Sequence, residues 1–240
     1  MSTNRQSDFY REFVRTKKSG DLKEDRIQKI VAAYNPATLD LLDVGCGNGV
    51  LLEILRERST LDRVVGVDVA PDTAKILAEI GIEGHSLDAG APLPFPDQTF
   101  DTITCGEVIE HVFDVDTLIA EFFRVLRPGG MLILTTPNLA YTPNRLMLLA
   151  GIQPLFTETS LTANLGRKWR ILGQGGRTQG HLRIYTLAAL QELLAMHGFR
   201  RQEVVGYRWL QSGALGFVDR LLAQRPSLAA GFVARAYRGA

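Results

Sequence analysis

Cysteine is scarce in this chain: Cys46 and Cys105 are the two present among 240 residues, and both lie in apolar, strand-like runs. That excludes a disulfide-stapled scaffold and points to reduced thiols in a cytoplasmic protein. Charge of one sign is missing as well. With 27 basic and 26 acidic side chains the formal net charge is +1, which argues against broad attraction to nucleic acid or membrane but leaves a local patch open. No apolar run approaches the ~18 residues of a membrane span, and the polar stretch from Met1 to Lys18 lacks the apolar core of a signal peptide. There is no internal repeat and no low-complexity tract. What remains is an ordinary globular composition, 45% hydrophobic and 22% charged, able to bury a full core. A length of 240 residues suits one domain, 1–240, with an elaborated loop region.

The chain has one strongly patterned stretch. Leu41-Leu42-Asp43-Val44 is an apolar run, Gly45-Cys46-Gly47-Asn48-Gly49 a G-x-G-x-G turn, and Val50–Arg58 an amphipathic helix. A second apolar run, Arg63–Asp68, then ends in a carboxylate. This order describes a βαβ unit around an adenosine ligand: glycines admit the backbone close to the ligand, and the terminal acid accepts from two ribose hydroxyls. The alternation continues with a helix over Pro71–Ile80, strands over Ile82–Leu87 and Phe100–Cys105, and a helix over Val115–Leu126. Pro128-Gly129-Gly130 reads as its stop and turn, and Met131–Thr136 as a fifth strand. Strands apolar throughout, alternating with helices, predict a parallel sheet covered on both faces. Residues 8–34 suit one or two amphipathic helices ahead of this core, ended by Pro36.

The rhythm breaks over 139–180, where only Arg145–Ala150 reads as helical. It resumes with a helix over Thr186–His197, Thr186 its N-cap and Gly198 its stop. Arg200–Trp209 and Leu228–Tyr237 read as final strands around a short helix near Phe217–Leu222. A long irregular segment within a compact domain predicts a substrate lid. Arg145, Arg167, Lys168, Arg170 and Arg177 face the single acid Glu158 there, which suits an acceptor bearing carboxylate or phosphate, or simply a solvated loop. Gly173-Gln174-Gly175-Gly176 looks like a hinge or tip. Tyr141, Phe156 and Trp169 either line an acceptor pocket or hold the segment down.

Four neighbours make the glycine turn specific. Asp43 sits two residues ahead of it, where a carboxylate can face a cofactor ammonium, and Asp88 follows the third strand in Leu87-Asp88-Ala89. Phe100-Asp101-Thr102-Ile103 and Leu126-Arg127-Pro128-Gly129-Gly130 complete the order. With these motifs the chain resembles the class I S-adenosylmethionine-dependent methyltransferases from about Leu39 to Phe199. The resemblance implies a Rossmann-like seven-stranded sheet, six strands parallel and the last antiparallel, with helices on both faces. It further implies Asp43, Gly45, Cys46, Gly47 and Gly49 around the methionine part and ribose, and Asp68 on the ribose hydroxyls. Val69, Asp88 and Ala89 would surround adenine, and the methyl would emerge near Cys105-Gly106-Glu107.

Glu107-Val108-Ile109-Glu110-His111 follows the fourth strand, where substrates lie in such a fold. On a helix, Glu107, Glu110 and His111 would converge on one face. Two carboxylates and an imidazole suit a divalent cation (Mg, Mn, Zn or Fe), and equally an electrostatic wall beside a sulfonium. Without a metal, His111 is the expected general base. The E-x-x-E-H pattern resembles the ubiquinone-pathway O-methyltransferases and the small-RNA 2′-O-methyltransferases. In the latter a later imidazole completes the site, and His181 in Gly180-His181-Leu182-Arg183-Ile184-Tyr185-Thr186 stands in that place as fourth ligand. The expected activity is O-methylation of a small-molecule acceptor (a phenol, a sugar or a lipid-linked compound). RNA 2′-O-methylation and N- or C-methylation are the alternatives, and the near-zero charge counts against RNA. Phe217, Leu221 and Leu222, with nearby arginines, open the prospect of peripheral membrane contact.

Overall fold

The computed structural model describes residues 25–160, 162–166 and 178–239. Seven strands form one sheet in the order β3-β2-β1-β4-β5-β7-β6. They are β1 (Asp40–Val44), β2 (Arg63–Asp68), β3 (Glu83–Ser86), β4 (Phe100–Gly106), β5 (Leu126–Pro137), β6 (Phe199–Tyr207) and β7 (Gly231–Arg238). The pairs among β1 to β5 are parallel, and β7 runs antiparallel to both β5 and β6. Six strands therefore share one direction and β7 opposes them, as the resemblance implied.

Seven helices accompany the sheet among the described residues: α1 (Asp25–Ala33), α2 (Val50–Arg56), α3 (Thr73–Glu79), α4 (Val115–Val125), α5 (Thr142–Leu149), α6 (Leu187–Met196) and α7 (Gly213–Leu222). Side chains alternate across a strand, so each strand feeds two cores. Leu42, Val44, Leu132, Leu134 and Phe232 pack with α4 and α6. Leu41, Met131, Ile133 and Val233 pack on the other face with α1, α2 and α3. Within α4 the buried stripe is Val115, Leu118, Ile119, Phe122 and Val125, the three-to-four spacing of one helix face. Burial of each contributes roughly 1.5–3 kcal/mol.

Because α2 leaves β1 toward one face and α4 follows β4 on the other, the connections after these neighbouring strands diverge. A crevice opens between them at the strands' C-terminal ends, where ligands bind in open α/β sheets. The glycine turn and the Glu107–His111 segment lie on its two sides.

Local expectations are corrected in several places. Pro128-Gly129-Gly130 is not a stop and turn but part of β5, which starts at Leu126 and is irregular where the register with β4 shifts between Phe100 and Thr102. Pro226–Leu228 is a single 3₁₀ turn, so β7 starts at Gly231 rather than Leu228. Helix α5 begins at Thr142, before the expected Arg145, because Pro143 suits a first helical turn. Of the expected N-terminal helices only α1 falls on described residues; residues 8–24 lie outside them, as do Arg167, Lys168, Trp169, Arg170, the Gly173–Gly176 hinge and Arg177.

Candidate active site

The glycine turn is built by backbone geometry. Gly45, Gly47 and Gly49 all have positive φ, at 79°, 56° and 82°. At Gly45 a Cβ would come within 2.1 Å of Val108 Cγ2, so the turn passes against the segment after β4. At Gly47 nothing lies within 4 Å of that position: the turn's outer side is open. Backbone N–H groups of Gly45 and Cys46 donate to the Val67 carbonyl at 2.7 and 3.1 Å. The Asp68 carboxylate accepts from Gly47 N at 2.9 Å and from Ala70 N at 3.0 Å, locking the turn to the end of β2. Its own carbonyl accepts from Leu87 N at 2.9 Å, which brings the Leu87–Ala89 segment alongside. Asp88 is exposed, with Oδ1 accepting from Gly90 N at 2.9 Å, while Val69 and Ala89 are half-buried.

Asp43 is buried and accepts a 2.6 Å bond from the Thr104 hydroxyl. Both thiols are buried, and burial together with nearby carboxylates pushes their pKa values well up. Cys46 Sγ lies against β2, 2.8 Å from where a Cβ on Gly66 would stand. Cys46 therefore serves the turn through its backbone, and neither thiol is a nucleophile.

The segment after β4 differs from its expected helix. Residues 107–112 form a turn in which His111 N donates to the Val108 carbonyl at 2.9 Å; the helix starts only at Val115, capped by Asp114 accepting from Thr117 N at 3.0 Å. The convergence of Glu107 with Glu110 and His111 is thereby lost. Glu107, at φ 58°, turns its carboxylate the other way. It accepts from the Thr135 hydroxyl at 2.9 Å and from the Tyr207 hydroxyl at 3.1 and 3.2 Å, and Arg26 Nη1 stands 3.4 Å off. Tyr207 reaches it across Gly231, where a Cβ would fall 2.2 Å from the tyrosine oxygen. Burial, then the Glu107 charge, pushes the Tyr207 phenol well up, so it remains a donor. Glu107 thus joins β4, β5, β6 and α1.

Glu110, His111 and His181 do come together: one ligand atom from each lies within 4.8 Å of the others. Glu110 is fully buried; the Thr136 hydroxyl donates to Oε2 at 3.1 Å, and Oε1 has no hydrogen-bond partner. Burial, reinforced by Glu107, raises its pKa well above the carboxylate range. His111 Nδ1 meets the Gly180 carbonyl at 3.2 Å and His181 Nδ1 the Phe156 carbonyl at 2.7 Å. A carbonyl only accepts, so each neutral ring carries its proton on Nδ1 and its lone pair on Nε2. Burial, then the neighbouring His181, pushes the His111 pKa down to about 4. Two oriented imidazoles and an unsatisfied carboxylate oxygen fit a divalent cation, with the outer hydrogen bonds such ligands need. Glu107, expected beside Glu110 and His111 as a ligand, lies outside this cluster, and His181, expected as the fourth, lies within it.

The two ends of the 139–180 segment deliver His181. Glu158 accepts from the backbone N–H groups of Gln179, Gly180 and His181 at 2.6, 2.7 and 3.2 Å. Leu182 N donates to the Glu110 carbonyl at 2.8 Å. Phe156 stacks on Trp209 with ring centroids 4.3 Å apart, and Tyr141 is buried with its hydroxyl donated to Asp219 at 2.9 Å. Those two aromatics hold the segment down. Arg26, Thr135, Thr136, Glu158 and Tyr207 escaped the sequence reading as site residues. Only Glu158 carried a signal, as the lone acid of a basic stretch.

A family model described as a methyltransferase domain matches residues 10–204. The chain belongs to the class I S-adenosylmethionine-dependent methyltransferases. A probable S-adenosylmethionine-dependent methyltransferase of Mycolicibacterium smegmatis is 33% identical over 171 residues, 69% of this chain and 63% of the relative. A ubiquinone biosynthesis O-methyltransferase of Xanthomonas axonopodis pv. citri is 34% identical over 124 residues, 47% of this chain and 49% of that protein. The chain thus spans less than two thirds of the length of these relatives. The N-methyltransferase NodS of Bradyrhizobium japonicum, solved with S-adenosyl-L-homocysteine, shares the fold at a TM-score of 0.63 and 15% identity, covering 99% of both chains. In this chain the turn after β1 and the acid ending β2 lie at the C-terminal ends of the strands, where open α/β sheets bind their ligands.

Proposed function

We propose that this methyltransferase moves the sulfonium methyl of S-adenosylmethionine to an oxygen of a small-molecule biosynthetic acceptor, with Glu110, His111 and His181 activating the hydroxyl. The cluster at the end of β4 carries the reading, because it sets three acceptor atoms beside the crevice that would hold the cofactor. In this reading the Gly45–Gly49 turn and Asp43 surround the methionine part and ribose, Asp68 takes the ribose hydroxyls, and Val69, Asp88 and Ala89 flank adenine. Cys105 lines the floor. The segment over 139–180 acts as substrate lid.

Methyl transfer is an in-line displacement: an acceptor lone pair forms the O–C bond while the C–S bond breaks, leaving a neutral thioether. The acceptor's proton must go elsewhere. His111 alone matches the task poorly, since moving a proton from a phenol near pKa ~10 to an imidazole at about 4 costs about 8 kcal/mol. A divalent cation on Glu110, His111 and His181 would supply Lewis acidity that lowers the hydroxyl pKa. The chain's own residues hold the acceptor oxygen and exclude water, and alignment contributes up to about 7–11 kcal/mol. Relatives that are ubiquinone biosynthesis O-methyltransferases support oxygen over nitrogen or carbon.

The test pairs metal analysis with activity. Purified protein is expected to hold close to one equivalent of a divalent cation, lost on chelation. Glu110→Ala, His111→Ala and His181→Ala should each lower metal content and methylation by about 10–100-fold while sparing S-adenosylhomocysteine affinity. Full activity in chelator and in all three variants would remove the cluster from catalysis. RNA 2′-O-methylation is the second reading, favoured by the approach of His181 to His111, with ring centroids 4.8 Å apart. A salt-sensitive gel shift with short RNA would select it.

A further inference from the structure

Helices α5 and α7 are inside out. A surface helix ordinarily buries its apolar stripe and shows polar side chains to water. In α7 the buried positions are Gly216 and Asp219, while Leu215, Phe217, Val218 and Leu221 are exposed, Leu215 and Phe217 at 62% and 63%. In α5 the buried position is Asn144, while Leu146, Leu148 and Leu149 are exposed, Leu149 at 86%. The polar groups face inward because their partners are there. Asp219 accepts from Trp209 N at 2.7 Å, Leu210 N at 2.8 Å and the Tyr141 hydroxyl. Asn144 binds the carbonyls of Asn138, Leu139 and Leu155 and accepts from Leu155 N.

The outward faces are left apolar and cationic. Arg145, Arg220 and Arg225 are exposed beside them, and within 142–150 and 210–225 the only carboxylate is the buried Asp219. The Tyr141–Asp219 bond ties the start of α5 to α7, and a 3.0 Å bond from Arg145 to the Ser227 carbonyl ties α5 to the 3₁₀ turn ahead of β7. They follow β5 and β6, so they share the sheet end that carries the glycine turn. Leucine and phenylalanine rimmed by arginine, with no acid, complement an anionic lipid surface: the apolar groups enter the headgroup–acyl boundary and guanidinium groups meet phosphate. A two-fold contact with a second copy would instead set arginine against arginine.

We propose that α5 and α7 dock the protein on an anionic bilayer surface. The test is sedimentation of the full chain with vesicles of phosphatidylcholine alone, or with about a third phosphatidylglycerol. Binding is expected on the anionic vesicles, weakened by salt. Phe217→Ser and Leu149→Ser should each weaken it by about tenfold. Arg220→Ala with Arg225→Ala should do so by more than tenfold on anionic vesicles only. All four positions are exposed, so unchanged melting and cofactor affinity are expected of the variants. No binding to either vesicle, binding indifferent to these substitutions, or a dimer that Phe217→Ser dissociates would each overturn the proposal. Vesicle binding is read without acceptor or metal, so it stands or falls apart from the acceptor reading.

Discussion

Glu158 shows how much one side chain can organise. Three backbone N–H groups converge on its carboxylate, and the residues that own them supply the His181 imidazole and the carbonyl that orients His111. It touches neither ring, so its role is positioning. Glu158→Gln keeps the shape but halves the acceptor capacity and removes the charge. On the proposed reading of the cluster, it is expected to lower metal affinity and kcat by about 10–100-fold while cofactor affinity holds. Glu158→Asp should recover part of the loss. If melting fell with metal affinity and kcat intact, Glu158 would be structural only. At the same scale, Asp68 is legible from sequence because a carboxylate ending a strand after a glycine turn is a local pattern. Glu158 is not, because its partners lie 21 to 23 residues further along the chain and nothing in the spacing announces them.

Elements gain their place through a few cross-links. Arg124 on α4 bonds Glu121 Oε1 at 2.7 Å, the Phe95 carbonyl at 2.8 Å and the Leu93 carbonyl at 3.0 Å, while Leu93 N donates to Glu121 at 2.7 Å. This clip fixes the connection from the Asp88 segment into β4. The Arg124 guanidinium holds the Glu121 carboxyl below its ordinary value despite opposing burial. The folded chain therefore binds fewer protons than the unfolded one as pH falls through about 4.5, and stability declines on that side. Urea titrations between about pH 6 and about pH 3 should show a shallower acid loss for Glu121→Gln, with lower stability near neutrality. An unchanged acid limb would assign the clip no part in it. Periodicity located α4 well, since the spacing of Leu118, Ile119, Phe122 and Val125 is intrinsic to the segment. It misled at Glu107–His111, where helical spacing was assumed and the Thr135 and Tyr207 bonds draw Glu107 away.

At the scale of the molecule, the crevice between β1 and β4 is held open by connections that diverge to opposite faces of the sheet. A nucleoside seated there would bridge the ends of β1, β2 and β4, and such binding stabilises the native state by mass action. S-adenosylhomocysteine at about 100 times its Kd should add about 2.7 kcal/mol. The increment should vanish in Asp68→Ala, and a nicotinamide dinucleotide should add nothing. A thermal melt with each ligand reads both.

The amino-acid order by itself determined the alternation of strands and helices, the glycine turn and the acid after it. These depend on side-chain period and on φ values that only certain residues tolerate, both properties of a few consecutive positions. The resemblance already offered His181 as a partner of His111; tertiary structure alone decided that Arg26 and Tyr207 hold Glu107, and that α5 and α7 turn their leucines outward. Those outcomes depend on which distant donor satisfies which buried acceptor, a competition resolved only once the sheet has brought the candidates within hydrogen-bonding distance.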